Sequence, residues 1–270
     1  MGFYWLYDIP TWALFLTIVG TLCAISVSGC LILRERMDRW LSLDDSSNEI
    51  VGHFLSFTGV FYGLVLGLVA VGAWDTYNTA DGFVQSESAH IAALYRDVTQ
   101  LPEPYNAQLQ NAVRSYTVAV IDAEWADQQK GIPPRAGDKP MTILVQQLFA
   151  VPATTPNIEI TVSEAASQLN NLIEARRIRI QSATSAIPGS LWYVLLIGSL
   201  IILVMTWMLR INNKRLDVLI NILTGMMMGS VLSFIVAMDN PYRGELSVSS
   251  DPYKLIYARL MNGTPISGQQ

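Results

Sequence analysis

The sequence predicts an all-α membrane protein: four transmembrane helices in two hairpins, with an inserted extramembrane helical bundle continuous with the second and third spans. Three observations predict it. Four apolar stretches, 11–33, 50–73, 191–209 and 216–238, stand in two tight pairs separated by a long polar stretch, and each is close to the roughly 20 residues that a span needs. Charged residues make up only 14% of the chain, against about 25% in an ordinary soluble domain. The deficit is concentrated in the four stretches: three carry a single acid between them, Asp217, and 50–73 carries no charge beyond His53 near its start. A buried core helix of such length would show a polar face.

The first stretch is read as a retained anchor. A signal peptide needs a basic n-region, and Asp8 is the only charge before this segment. Cys23 and Cys30 lie on one face of it, cannot bridge within a regular helix, and are read as small packing residues. The second span is expected to leave the membrane as one long helix. Trp74, Tyr77, Ala80, Phe83, Ile91, Leu94, Val98 and Leu101 recur at three or four residues with one wider gap, and Pro102 and Pro104 end the pattern. A second helix runs from about Tyr105 to Gln129, with Leu109, Val113, Tyr116, Val120 and Ala123 on one face and Gly131-Ile-Pro-Pro134 as its stop. A short helix covers Met141–Val151. Another starts from a cap at Asn157 or at Thr161, where Thr161-Val-Ser-Glu164 fits a capping box, and reaches about Ser185. Pro188-Gly189 marks the junction with the third span. The tail holds a turn-rich link at 239–244, a short extended run at 246–250, an amphipathic helix at 252–260 and a disordered end from Asn262. The expected divisions are thus 1–73, an N-terminal hairpin; 74–189, an extramembrane helical domain; 190–238, a C-terminal hairpin; and 239–270, a partly ordered tail.

Lys and Arg in short loops report topology. Arg34, Arg36 and Arg39 follow the first span, and Arg210, Lys214 and Arg215 link the third to the fourth. Both loops are expected in the cytoplasm, which places the N-terminus, the central domain and the C-terminus on the other side of a bacterial-type cytoplasmic membrane. The net charge of −5 and the absence of a basic, aromatic-laced surface argue against nucleic acid. No Gly-rich phosphate loop, Cys/His metal spacing or G-x-S-x-G occurs, so neither catalysis nor a cofactor is expected. Glu87 and His90 have the Glu-x-x-His spacing of di-metal bundles, but a second copy is missing, and they are read as a polar pair in the helical bundle.

The second span carries Gly59, Gly63 and Gly67 at four-residue spacing, and the fourth repeats the theme with Gly225 and Gly229. Such stripes let helices approach closely, within one chain or around an oligomer axis. Ser56, Thr58 and Tyr62 are candidate pore-lining groups, since small polar side chains can replace part of an ion's hydration. Phe54, Phe57 and Phe61 form an aromatic series at helical spacing on the same span. Asp75 stands just outside it. Arg176, Arg177 and Arg179 form the densest positive group. They can concentrate anions at a pore mouth, or pair with Glu87, Asp97 or Glu174. Asp239 is a second charge at the membrane boundary, with Arg243 or the arginine group as possible partners.

Several runs resemble the bestrophin-like membrane protein family. They are Gly63-Leu-Val-Leu-Gly-Leu-Val-Ala-Val-Gly-Ala-Trp-Asp75, Glu87-Ser-Ala, Leu94-Tyr-Arg-Asp97, Arg176-Arg-Ile-Arg179, Pro188-Gly-Ser-Leu-Trp192, Met238-Asp-Asn-Pro-Tyr-Arg-Gly-Glu245 and Ser250-Asp-Pro252. The resemblance covers about residues 50–255 in order, and it implies an integral membrane protein distantly similar to bestrophins, which are homo-oligomeric anion channels. The expected function is therefore a homo-oligomeric ion channel, with anions favoured, a pore lined by the second span and a helical vestibule. The alternative is a non-conducting sensor or scaffold whose extramembrane domain binds a partner or ligand. Expected partners are the lipid bilayer, further copies of the chain and inorganic ions.

Overall fold

The computed structural model describes residues 7, 9–41, 45–183 and 186–262, the side chains of residues 38, 45 and 46 excepted. Every regular element among them is helical: α1 (Thr11–Leu41), α2 (Asp45–Thr99), α3 (Tyr105–Ala119), a π-helical turn (Val120–Glu124), α4 (Trp125–Gln129), α5 (Asp138–Phe149), α6 (Pro156–Ser182), α7 (Gly189–Met208), α8 (Lys214–Asp239), α9 (Asp251–Ile256) and a second π-helical turn (Tyr257–Met261). The helices α1, α2, α7 and α8 are long and apolar enough to cross a membrane. At 1.5 Å per residue, the 55 residues of α2 have a contour length of about 80 Å, more than the roughly 30 Å of a hydrocarbon core requires.

The chain packs as two units. The first comprises Met1–Thr76, Ala186–Asn240 and Gly244–Leu246, and the second Tyr77–Ser185, Pro241–Arg243 and Ser247–Gln270. In the first unit α1 lies chiefly against α8. Small residues permit this: a Cβ on Gly225 would stand 2.8 Å from the Cα of Cys23, and one on Gly229 would stand 2.8 Å from the Cα of Val19. The same helix pair buries a polar chain. Asn221 donates to the Asp217 carbonyl at 3.0 Å and meets Ser26 Oγ at 3.0 Å, while Asp217 takes Cys30 Sγ at 3.2 Å and the Arg34 guanidinium. Arg34 also donates to the Ile211 carbonyl at 3.0 Å. Asp217, read from the sequence as a charge at a span's end, is thus buried and paired. In lipid such groups must find partners within the protein.

Tyr62 joins α2 to α7. Its hydroxyl donates to the Leu195 carbonyl at 2.7 Å and lies 2.6 Å from Ser199 Oγ, and its ring occupies the space a Cβ on Gly198 would need. Asp239, at the end of α8, accepts from the Ile187 amide at 2.6 Å rather than from an arginine.

The second unit has its own apolar core. Val84, Ile91, Leu94 and Val98 of α2 pack with Leu109, Val113 and Tyr116 of α3, Leu144 and Leu148 of α5, and Leu169 and Leu172 of α6. The helix ends are locally encoded. Gly131, at φ +70, closes α4 with a Schellman pair: its own amide donates to the Gln128 carbonyl at 3.0 Å and that of Ile132 to the Asp127 carbonyl at 2.9 Å.

Several element boundaries differ from the sequence reading. The cap of α6 is Thr155, whose hydroxyl accepts from the Ile158 amide, with Pro156 in the first turn. Neither Asn157 nor Thr161 is the cap; the Thr161 hydroxyl donates to the Asn157 carbonyl from within the helix. Proline at the first helical position outcompetes a capping box five residues later, because it starts the helix without losing a bond. The helix α6 is not continuous with α7: it ends at Ser182, and α7 starts at Gly189 behind Pro188. Proline disfavours helical geometry for the residue before it. Residues 246–250 form turns and irregular backbone rather than an extended run. The ends expected at Ser185 and from Asn262 onward fall almost wholly outside the described residues.

The α1/α8 contact is testable against the open stripe on α2. Gly225→Val must push into the Cys23 backbone and is expected to cost about 1–3 kcal/mol by overpacking, whereas Gly63→Ala meets nothing within 4 Å of the same chain. Unfolding of the detergent-solubilised single chain in SDS should therefore shift for the first variant only, and equal shifts would contradict the packing.

Candidate functional site

Two features gather the candidate residues: a buried ion network in the second unit and the uncovered side of α2 in the first.

The network is centred on Arg179 of α6, which has no exposed surface. Its Nε donates to Glu87 Oε2 at 2.5 Å, Nη2 to Glu124 Oε2 at 2.6 Å and Nη1 to Gln128 Oε1 at 2.5 Å. Glu87, from α2, also accepts from the Tyr116 hydroxyl at 2.6 Å and the Tyr253 hydroxyl at 3.1 Å. Glu124 accepts from Arg176 Nη2 at 2.5 Å and from the Gly137 amide at 2.8 Å. Arg176 is held by Asp138 as well, at 2.7 Å. Every carboxylate oxygen of Glu87 and Glu124 is thereby partnered, as burial of charge demands.

Local structure makes this possible. Tyr116, Val120, Glu124 and Gln128 recur at strict fours, a spacing that would drift around an α-helix of 3.6 residues per turn. The wider π turn over Val120–Glu124, closed by the Trp125 amide on the Val120 carbonyl, absorbs the excess and keeps these side chains on the buried side. Gly137 lacks the Cβ that would stand 2.6 Å from Glu124 Oε1, so its amide can reach the carboxylate. Trp125 is flanked edge-on by Tyr242 and Tyr253, with ring centroids 5.9 and 5.8 Å away.

The electrostatics follow from burial and pairing. Burial pushes the Glu124 carboxyl up, but Arg179 and then Arg176 outweigh it and hold the group below its ordinary value. Burial works against the Arg179 charge, and the Glu87 carboxylate more than offsets it, so the guanidinium stays well above its usual value. Tyr116 and Tyr253 are driven well above the phenol range by burial and by Glu87, and burial raises Tyr242 to about 12. All three phenols remain neutral donors at physiological pH.

The three arginines read as a group from the sequence are separated by this network. Arg179 is internal and Arg176 largely committed. Arg177 is the exposed one, with a side chain 68% accessible and Glu174 at 4.0 Å. Glu87 is interior, and His90 Nδ1 meets Gln168 Oε1 at 3.2 Å. Arg243 donates to the Lys130 carbonyl. Among the described residues no cluster of His, Cys, Asp and Glu could hold a metal ion. Sequence reasoning missed Glu124, Gln128, Gly137 and the two tyrosines on Glu87. The fours from Tyr116 to Gln128 were the available signal.

On α2, Ser56, Thr58 and Tyr62 do not share a face. Tyr62 is buried against α7, Thr58 is half-buried, and Ser56 is exposed with its hydroxyl on the Gly52 carbonyl at 2.9 Å. Ser56 instead shares a face with Gly59, Gly63 and Gly67, whose added Cβ atoms would meet nothing within 4 Å in the chain. A neighbouring face carries exposed Phe54, Phe57, Phe61, Leu64 and Leu68, and Asp75 is also exposed. Only 11% of the most apolar stretch of α2 is buried, against 39% in α8.

Removing one member of a buried ion pair strands its partner and costs about 3–5 kcal/mol, so Arg179→Met should lower the thermal transition of the full chain sharply and Arg177→Met should not. The folded pKa of Glu124 lies below its ordinary 4.5. Its contribution to stability is therefore complete above that value and is lost as pH falls through the folded value. Thermal scans from pH 6 downward should show this loss, and Glu124→Gln should flatten it.

The sequence matches the Bestrophin-like domain family over residues 19–253. No curated protein sequence matches the chain. Among solved structures, two crystal structures of point mutants of a bacterial bestrophin homologue from Klebsiella pneumoniae share the fold. One has a TM-score of 0.68 over 90% of this chain and 96% of its own, the other 0.70 over 93% and 99%, each at 10% identity. A crystal structure of a further membrane protein gives 0.68 over 93% and 97%, also at 10% identity. The four apolar helices, the fold and the family match together establish the chain as an integral membrane protein of the Bestrophin-like family.

Proposed function

We propose that the protein is a homo-oligomeric membrane ion channel whose pore is lined by α2. One observation carries the reading: the apolar stretch of α2 is only 11% buried within its own chain, although it presents two ordered and different faces. A bare-backbone face of Ser56, Gly59, Gly63 and Gly67 suits close approach of identical helices around an axis, with Ser56 as the polar group toward ions. The aromatic face of Phe54, Phe57 and Phe61 suits lipid or a neighbouring subunit. Family membership supports the same reading, since bestrophins are channels built from several copies of one chain.

Anions are the proposed ions. Arg176 and Arg179 are neutralised by buried carboxylates, so the role of concentrating anions in a helical vestibule narrows to Arg177. Asp75, exposed just beyond the second span, marks a mouth of the path in this reading. The arginines at the end of α1 and between α7 and α8 support a non-cytoplasmic side for the N-terminus, central helices and C-terminus.

Planar-bilayer recording of the purified protein tests both parts. The expected result is a conductance whose reversal potential follows the chloride gradient and shifts toward zero in Arg177→Glu. In a background of Cys23→Ser and Cys30→Ser, Ser56→Cys should be modified by a water-soluble thiol reagent with a change in current, and Phe57→Cys should not. Absence of conductance under any gradient defeats the channel reading and leaves a scaffold. A reversal potential set by cations defeats the anion part alone.

A further inference from the structure

We propose that the groove between the C-terminal ends of α1 and α7 is a binding site for an anionic phospholipid. The groove encloses about 290 Å³ and is lined by Leu33, Arg36, Met37 and Trp40 of α1 with Val204 and Trp207 of α7. The four α1 residues recur at i, i+3, i+4 and i+7, one face of the helix. Glu35 falls on the opposite flank by the same spacing.

The floor of the groove is fixed. Trp207 is only 5% exposed, its indole Nε1 donates to the Ser26 carbonyl at 2.8 Å, and its ring fills the space that a Cβ on Gly29 would take. Leu33, Met37 and Val204 add aliphatic walls. The rim carries Trp40, 82% exposed, and Arg36, also exposed. Indole rings of this kind favour the level of lipid headgroups.

Charge selects the occupant. Arg34 is committed to Asp217 and the Ile211 carbonyl, and Arg39 donates to the Glu35 carbonyl. Arg36 alone among these three makes no hydrogen bond or ion pair with any described residue. It is a cation at the mouth of an apolar groove, at the end of the helices where Arg210, Lys214 and Arg215 also stand. An amphiphile with an anionic head and an aliphatic tail satisfies both features: phosphate on the guanidinium, the upper acyl chain along Trp207. Basic grooves between membrane helices recognise anionic lipids by this division of labour. The site is independent of whether the protein conducts.

The test uses the full chain in phosphatidylcholine nanodiscs doped with either brominated phosphatidylglycerol or brominated phosphatidylcholine, the bromines placed high in the acyl chain. Tryptophan quenching is read, and the difference from Trp40→Phe isolates the rim residue. Brominated phosphatidylglycerol is expected to quench Trp40 at about fivefold lower mole fraction, the advantage that one basic residue gives at an anionic surface. Arg36→Gln should abolish this preference and Arg36→Lys should retain it, with unchanged thermal transitions because Arg36 is exposed and bonds to none of the described residues. Equal quenching by the two lipids in the unmutated chain, or a preference that survives Arg36→Gln, overturns the proposal. Absence of quenching by both, as when a second copy of the chain covers the groove, overturns it too.

Discussion

A guanidinium taken entirely out of solvent has to be compensated on the spot, and in the second unit Arg179 sets the terms for everything around it. Two carboxylates from distant parts of the chain, Glu87 of α2 and Glu124 of the π turn, meet its nitrogens within 2.6 Å. They in turn require Tyr116, Tyr253, Arg176 and the Gly137 amide. The result ties α2, α3, α6, α9 and the segment before α5 to one point. Apolar residues of equal volume would stabilise this core as well or better. What a charged centre supplies instead is a demand for partners, which this arrangement meets at every carboxylate oxygen of Glu87 and Glu124.

The membrane unit uses a weaker version of the same logic. Asp217 and Asn221 of α8 are buried against Ser26, Cys30 and Arg34 of α1, so polar groups pin the register of a helix pair that glycines allow to come close. In lipid, packing and such hydrogen bonds replace the hydrophobic force that joins helices in water. Tyr62 does the equivalent for α2 and α7 with a single side chain. Beyond that anchor little of the apolar stretch of α2 is covered, 11% of it being buried.

Much of the helical layout was legible in the sequence because length, apolarity and Gly/Pro punctuation are local signals. The four apolar helices, the extension of α2 to Thr99 and the helical run ending at Gly131 all follow from residues close in the chain. The cap of α6 was misread because two local rules competed and the proline prevailed. The site was less legible. Arg176, Arg177 and Arg179 are near neighbours in sequence, yet the burial of Arg176 and Arg179 depends on Glu124 and Glu87, more than fifty residues away, and a run of charges does not reveal which members fold inward. Glu124 could not stand out either, since a lone acid on an amphipathic helix is ordinarily solvated. Ser56 and Tyr62 share a span but not a face, a distinction that 3.6-residue periodicity carries once the buried side of α2 is known.

The π turn at Val120–Glu124 also acts on the chain as text. An extra residue accommodated within a helix is a matter of counting: one residue added to a regular helix swings all that follows by about 100°, whereas a wide turn takes up the excess and leaves the phase beyond it nearly unchanged. Taken out between Tyr116 and Gln128, one residue would let this turn relax to an ordinary one with Gln128 still on the side of Arg179. Loops elsewhere can lengthen or shorten at small entropic cost; here a helix holds the same freedom for a single residue.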